Sequence, residues 1–157
     1  MKNNVKNIPR AFTAQVPLHP DHPEKGFRSY KITPEKGEAS FLVSNDDTDL
    51  LKKGRKVRFM GLFNLQVEEV EKNLIQAFFH SESYEEARKL GAPLIHWILM
   101  NSGVPCEVVM PDASTANGVA EEACKALSPN EIIQFERFGF VRIDKVNKKL
   151  TVYFAHR

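Results

Sequence analysis

The stretch IQFERFGFVRID, residues 133–144, carries the pattern that decides the fold. Strand side chains alternate between two faces, so one strand over these residues would hold an apolar set on one face. That set, which is typical of a hydrophobic core, is Ile133, Phe135, Val141 and Ile143. The opposite face would carry planar polar groups mixed with aromatic rings, namely Gln134, Glu136, Phe138, Phe140 and Arg142. We therefore predict one long strand with a core face and an unusual second face.

The second face permits two interpretations. Unstacked nucleobases stack on aromatic rings and present their edges to amide and guanidinium groups, so the face suits single-stranded nucleic acid. The alternative is a long hairpin strand packed on both sides, with Glu136 and Arg137 in structural ion pairs. A polar face is normal for a strand of an antiparallel sheet, so the strand alone favours the structural interpretation.

Composition indicates an ordinary globular protein. The chain has 157 residues, 42% hydrophobic and 27% charged, which is enough for one good core or two small ones. Two cysteines without C-x-x-C spacing indicate a reducing compartment and argue against a disulfide scaffold or a zinc knuckle. No apolar run reaches about 18 residues, and the first residues lack the apolar stretch of a signal peptide. We expect a soluble, cytoplasmic protein without a membrane partner.

Charge is locally uneven although the net charge is only +2. Five cations stand within seven residues: Lys52, Lys53, Arg55, Lys56 and Arg58. A solvated face is the usual explanation of such a run, and contact with RNA phosphates is the functional alternative.

Turn signals every 8–12 residues separate many short apolar segments, as in barrels and sandwiches. Leu65 to Val70 and Leu74 to Phe79 are expected to form a hairpin, and Pro93 to Met100 a strand pair with Pro105 to Met110. Short helices are predicted to follow a polar cap at Ser44 or Asn45 and a second cap at Ser83, which has capping-box spacing. The pattern predicts an all-β fold with a few short helices.

No catalytic constellation is recognisable. Clustered glycines of a phosphate-binding loop are missing, and His19-Pro20-Asp21-His22 lacks the glycine that lets a backbone approach a nucleotide. Cys106 stands in an apolar strand context, which predicts burial. Three aspartates, Asp46, Asp47 and Asp49, lack the glycine and terminal glutamate of a calcium loop and suit a helix start. We predict no catalytic residue, metal site or cofactor in this segment.

Three motifs in a fixed order resemble a known family. They are HPDHPEKGFR at residues 19–28, IHW at 95–97 and QFERFGF at 134–140. Together they resemble the C-terminal anticodon-binding region of the glutamyl/glutaminyl class of tRNA synthetases. The variant FGFVRID at 138–144 and the ending YFAHR at 153–157 are most similar to archaeal-type glutamyl-tRNA synthetase. Family members are longer and carry their catalytic domain upstream, so the resemblance implies an isolated C-terminal segment that matches from about residue 10 onward.

The resemblance implies a fold and a function. The fold would be two packed small β-barrels: a discontinuous proximal barrel of residues 1–59 and 121–157, and a distal barrel of residues 60–120. The function would be recognition of the glutamate tRNA anticodon for a class I glutamate–tRNA ligase. The catalytic domain of the same polypeptide would charge the tRNA with ATP and Mg, and DNA would not be a partner. The alternative is a protein-interaction appendage that docks the synthetase onto a partner.

Arg28 and Gln134 match positions that the resemblance assigns to the middle uridine of the anticodon. Uridine shows one donor and two acceptors on its pairing edge, which Gln and Arg can complement. The structural alternatives are an Arg28–Glu24 ion pair and an ordinary surface residue at 134. Candidate backbone or stacking contacts are Lys53, Arg55, Arg88, Lys89, Phe138 and Phe140.

Two further features complete the prediction. Trp97 is expected in the core, and His96 is expected to be hydrogen-bonded locally. Residues 107–110 are mostly apolar here, whereas glutaminyl relatives carry basic residues near the anticodon in the corresponding segment. Those contacts therefore cannot be transferred to this chain.

Overall fold

The computed structural model describes residues 1–18 and 22–157, and these residues form a strand-rich chain with few short helices. The chain divides into two compact units, residues 1–100 and residues 101–157. The all-β prediction is confirmed. None of the helices within the described ranges is long and apolar enough to cross a membrane.

Unit 1, residues 1–100, contains nine strands in its described part. They are β1 (Lys2–Lys6), β2 (Phe12–Pro17), β3 (Phe27–Ile32), β4 (Ala39–Val43), β5 (Lys56–Phe59), β6 (Asn64–Val70), β7 (Leu74–Ser81), β8 (Leu94–Ile95) and β9 (Trp97–Leu99). Seven of them form one sheet in the order β8-β5-β6-β7-β1-β4-β9, and β2 pairs with β3 in a separate hairpin. The two edge strands, β8 and β9, are separated in the chain by His96 alone, so the sheet is a nearly closed barrel.

Aromatic rings fill the core of unit 1. Phe41 contacts the rings of Phe59, Phe63 and Trp97 in edge-to-face geometry, with centroids 5.1–6.2 Å apart. The indole Nε1 of Trp97 donates a hydrogen bond to the Met60 carbonyl at 2.9 Å, which confirms the prediction that Trp97 lies in the core.

The short helices follow their predicted caps. A 3-10 helix spans Asn45–Leu50, and its N-cap Ser44 accepts a hydrogen bond from the amide of Asp46. Helix α1 spans Tyr84–Lys89, and Ser83 caps it by accepting from the amide of Glu86. Two further 3-10 helices lie at Pro23–Lys25 and Glu122–Ala126.

Unit 2, residues 101–157, is a single five-stranded sheet with its own core. Its strands are β10 (Val104–Val109), β11 (Thr115–Ala120), β12 (Ile132–Phe135), β13 (Gly139–Val146) and β14 (Leu150–His156). Their order is β11-β10-β14-β13-β12, with β10 and β14 parallel and the other pairs antiparallel. Most core side chains are those that the alternation of β10, β13 and β14 directs to one face, and Ala120 and Cys124 complete the core.

Two predictions about strands are wrong. Residues 133–144 form a hairpin rather than one strand, because the backbone turns at residues 136–138 and resumes at Gly139, whose φ of +143° suits glycine. The expected pair of Pro93 to Met100 with Pro105 to Met110 is replaced by pairs within each unit: β9 joins β4, and β10 joins β11 and β14. Each strand pairs where its apolar residues reach a core, Trp97 in unit 1 and Val108 in unit 2.

The compact units differ from the division that the resemblance implied. Strands on both sides of residue 59, β5 and β6, pair in the sheet of unit 1. Strands on both sides of residue 120 share the sheet of unit 2. The assignment of residues 1–59 and 121–157 to a proximal barrel and 60–120 to a distal one stays a prediction.

Candidate nucleic-acid interface

The hairpin β12–β13 preserves the two predicted faces even though it turns. Ile133 lies opposite Val141, and Gln134 lies opposite Phe140. Even-numbered residues of β12 therefore lie opposite even-numbered residues of β13, and the same holds for odd-numbered residues. Both side chains of such a cross-strand pair point to the same side of the sheet. Val141 and Ile143 are fully buried, whereas Gln134 and Arg142 are exposed. The predicted core face and the predicted polar face are thus both present.

The polar face carries an ordered pair of rings. Phe140 stacks on His156 of β14, with ring centroids 4.6 Å apart and an interplanar angle of 26°. Gln134 lies directly opposite Phe140 on the other neighbouring strand. An amide that can donate and accept therefore stands beside an aromatic ring on a surface that solvent reaches.

Arg142 holds a fixed position on the same face. Its guanidinium donates to Asn130 Oδ1 at 2.9 Å and lies over the ring of Tyr153, 5.3 Å from the centroid. Tyr153 is 40% exposed, and Ile132, which lies opposite Arg142, is 63% exposed. The face thus combines a cation, exposed aromatic rings and an amide, which is the chemistry of surfaces that bind single-stranded nucleic acid.

Phe138 does not belong to this face. Its ring lies 6.4 Å from that of Phe135 and 5.8 Å from that of Phe154, and it packs against the core of unit 2. Phe138 stands in the turn rather than in a strand, so alternation does not govern its direction. The structure therefore places it in a packing position, whereas Phe140 keeps the position expected of a stacking contact.

Arg28 lies on the inward side of the hairpin β2–β3. It is half-buried opposite Val16, and its Nη2 donates to the carbonyl of Pro17 at 3.4 Å. The neighbouring Phe27 points outward and is 52% exposed. Glu24, considered above as a partner for Arg28, contacts His22 Nδ1 at 3.0 Å. His19, Pro20 and Asp21, which open the first motif, lie outside the described residues.

The basic run divides into an exposed part and a buried part. Lys53 and Arg55 are exposed, as contacts with phosphate would require. Arg58 is only 8% exposed, although it lies on the face of β5 opposite the core residues Val57 and Phe59. Its Nη1 donates to Asn64 Oδ1 at 2.8 Å and to the Glu82 carbonyl at 3.1 Å. Burial lowers the pKa of Arg58 below its ordinary value. Arg58 therefore has a structural role, and fewer of the cations in the run are exposed than its sequence suggests.

Arg88 and Lys89 end helix α1 and are exposed. Cations in the last turn interact favourably with the negative end of the helix, so their position is explained without a ligand. Their exposure also leaves them able to contact phosphate.

Acid–base and metal chemistry find little support in the described residues. Within residues 1–18 and 22–157, no three His, Cys, Asp or Glu side chains lie close enough together to hold a metal ion. Cys106 and Cys124 are buried thiols, and burial is the main cause that raises the pKa of Cys106 to about 11. A thiol of that pKa is protonated near neutrality and is a poor nucleophile.

Comparison with known proteins identifies the family. Two family models match, both described as anticodon-binding domains of class I tRNA synthetases for E and Q, over residues 1–81 and 94–144. The chain belongs to this family. Glutamate–tRNA ligases of Pyrococcus abyssi, Pyrococcus horikoshii and Thermococcus kodakarensis are 46%, 45% and 43% identical to it over 150 residues. Each match covers 93% of this chain and 25% of the relative, so the chain spans about a quarter of the length of these relatives.

The sequence of this anticodon-binding domain gave no sign of one neighbour of Gln134 and Phe140. His156 joins them only because the register between β13 and β14 shifts between Phe140 and Val141. Plain alternation along β14 would place His156 on the side of Phe154, which packs on the core. The bulge reverses that direction and sets His156 opposite Phe140. A glycine at 139 was the one sequence signal of an irregular backbone nearby.

Proposed function

We propose that this chain is the anticodon-binding part of a glutamate–tRNA ligase and that it binds the tRNA for glutamate. The parent polypeptide would charge that tRNA with ATP and Mg in a separate catalytic domain, in the cytoplasm. The observation that carries the proposal is the cross-strand pair of the exposed Gln134 and the half-buried Phe140 in a chain of this family. An unstacked anticodon base can stack on the aromatic ring while the neighbouring amide forms hydrogen bonds with its edge.

Gln134 is proposed to contact the pairing edge of the middle uridine. Its amide oxygen can accept from N3–H of the base while its nitrogen donates to a carbonyl oxygen. The same amide can turn over and serve cytosine, which presents an amino group and an unprotonated ring nitrogen. Adenine presents the same amino group and ring nitrogen on a larger ring system, so Gln134 alone rejects adenine by its size rather than by its hydrogen-bond pattern.

Arg28 is proposed as the second contact with that base, as the resemblance assigns. A guanidinium donates and never accepts, so it suits the two carbonyl oxygens of uridine and conflicts with the amino group of cytosine. Its bond to the Pro17 carbonyl, at 3.4 Å, occupies one of five N–H donors and would orient the group. Discrimination against cytosine is therefore assigned to Arg28.

The exposed cations are proposed to contact the RNA backbone without reading sequence. They are Lys53, Arg55, Arg88 and Lys89. Each phosphate contact releases counterions, so affinity should fall steeply with salt concentration. A protein-interaction appendage with an apolar interface would bind its partner with little dependence on salt, which separates the two functions experimentally.

The test is binding of the 157-residue chain to a glutamate anticodon stem-loop carrying uridine, cytidine or adenosine at the middle position. We expect Gln134→Ala to weaken binding of the uridine RNA by about 1–3 kcal/mol and to reduce its advantage over adenosine. Arg28→Ala should reduce the advantage over cytidine. Lys145→Ala is the matched control, since it removes an exposed cation of β13 to which no contact with the RNA is assigned.

Thermal unfolding of each variant supplies the second control. Gln134 is exposed, so its removal should leave stability within about 0.5 kcal/mol. If both variants bound the three RNAs with unchanged preference while Arg28→Ala lowered stability, the residues would be structural and the site assignment would be wrong.

A further inference from the structure

Phe140 lies between two side chains of different kinds on the open face of unit 2. On one side His156 covers its ring, with centroids 4.6 Å apart and planes 26° from parallel. On the other side its cross-strand neighbour is Gln134, which has no ring. Because β13 lies between β12 and β14, the ring face that His156 does not cover is directed toward the strand of Gln134.

That ring face suits a nucleobase. Side chains directly opposite each other in an antiparallel pair lie about 4.5–5.5 Å apart at Cβ, so Gln134 and Phe140 can touch the same small planar group. A base laid flat on that ring face would lie next to Gln134, whose long and exposed side chain can extend past the base so that its amide meets the edge of the base. Stacking and edge recognition would then come from one residue pair.

The backbone fixes the ring pair in place. A Cβ at Gly139 would lie 2.7 Å from Phe154 Cε2 and 2.8 Å from the carbonyl oxygen of His156. Only glycine therefore lets β14 approach β13 this closely beside Phe140. Across the register shift, this approach sets His156 opposite Phe140, where its Nδ1 also lies 2.9 Å from the Arg157 carbonyl oxygen. The contact between the rings is therefore built into the hairpin.

We propose that Phe140 is the stacking surface for the base whose edge Gln134 contacts, and that His156 is a positioning residue that supports the ring from behind. The proposal rests on the proposed function and adds to it a stacking residue and its support. Stacking is tolerant of base identity, because every base has a π-face, so it supplies affinity while Gln134 supplies preference.

The experiment uses the 157-residue chain and a stem-loop with 5-iodouridine at the middle anticodon position. Long-wavelength ultraviolet light couples this base to an aromatic ring stacked on it, and mass spectrometry locates the coupled residue. We expect coupling at Phe140, and its loss in Phe140→Leu. Affinity for the unmodified RNA should fall roughly fivefold or more in that variant, for uridine and adenosine alike.

Two variants at residue 156 test the support. His156→Ala should reduce coupling at Phe140 and weaken binding roughly twofold to tenfold without changing base preference, whereas His156→Phe should restore both because it keeps a ring behind Phe140. Val119→Ala is the matched control, an exposed apolar side chain on β11 at the opposite edge of the same sheet. It should alter neither readout. Because His156 is exposed, its variants keep the test valid even if Phe140→Leu folds poorly.

The outcomes separate this inference from the proposed function. If uridine is preferred and Gln134→Ala removes the preference, but coupling maps to Tyr153 or Phe27, the stacking proposal is overturned and the function stands. Coupling at Phe140 that is unchanged in His156→Ala overturns the positioning role. If the unaltered chain neither couples nor distinguishes any of the RNAs, the proposed function fails, and the stacking proposal fails with it.

Discussion

Arg58 offers the sharpest test of how the structure reassigns a residue of the basic run. The sequence places it among exposed cations, but the structure buries its guanidinium against Asn64 and the Glu82 carbonyl. Asn64 is fully buried and in turn donates to Ser81 Oγ at 2.9 Å and to the Ser83 carbonyl at 2.8 Å. Arg58→Ala should therefore break a network that joins β5, β6 and the start of helix α1.

The size of the effect follows from these contacts. A hydrogen bond from a charged donor contributes about 1.5–3 kcal/mol net, and a buried acceptor left without a partner costs about 1–3 kcal/mol. The guanidinium also lies 5.4 Å from the centroid of the Tyr84 ring, a contact of about 0.5–1 kcal/mol. Returning the cation to water recovers part of this sum, since burial disfavours the charge and lowers the pKa of Arg58. We expect a net loss of about 3 kcal/mol in the free energy of unfolding of unit 1.

Thermal and urea unfolding measure this loss. For a domain of about 100 residues, 1 kcal/mol corresponds to a shift of about 4–8 °C in Tm, so Arg58→Ala should lower Tm by roughly 12–24 °C. Arg58→Lys keeps the charge but loses the planar guanidinium, so its Tm should lie between that of Arg58→Ala and that of the unaltered chain. Arg55→Ala is the control, because it removes an exposed cation of the same run and should shift stability by less than about 0.5 kcal/mol.

The opposite result would refute the reasoning. If Arg58→Ala left Tm within about 2 °C of the unaltered chain and weakened RNA binding as Arg55→Ala does, the residue would act at the surface. Its burial and hydrogen bonds would then be irrelevant to stability.

Four other results are expected. Arg55→Ala should flatten the slope of log affinity against log salt by about one unit for cognate and non-cognate RNA alike, measured by fluorescence anisotropy; an unchanged slope would indicate a merely solvated face. Gly139→Ala should lower the stability of unit 2 by at least about 1–3 kcal/mol in urea unfolding, because of its φ of +143° and the contacts under 3.0 Å that a Cβ would make; a neutral effect would contradict the close approach of β13 and β14. Burial raises the pKa of Cys106 from 9.0 to about 11, so the stability that its protonated thiol contributes should be complete below pH 9 and be lost as pH rises from 9 to 11; Cys106→Ala should show a shallower decline over that range. Asn3→Leu should raise Tm, because the fully buried amide of Asn3 has no hydrogen-bond partner among the described residues, and a lower Tm would reveal a partner such as an internal water.

The sequence by itself determined the strand class, the faces and the caps. Alternation with a period of two is a local property, so it separated Val141 and Ile143 from Gln134 and Arg142 without any knowledge of pairing. The two faces stay separate although the turn was not predicted. Because Phe135 pairs with Gly139, odd-numbered residues of β12 lie opposite odd-numbered residues of β13, and even-numbered residues lie opposite even-numbered ones. Helix α1 was predictable for the same reason, since Ser83 and Glu86 interact within one turn.

Only the tertiary structure decided which side chains meet across strands. The stacking of His156 on Phe140 depends on a shift of register between strands that pair over a distance in the chain, and such a shift reverses the side on which a residue lies. The burial of Arg58 likewise depends on Asn64 and Glu82, which β6 and the segment before α1 bring to it. Local pattern specifies the face of a residue within its own strand, whereas the partner on that face is set by which strands bury the most apolar surface together.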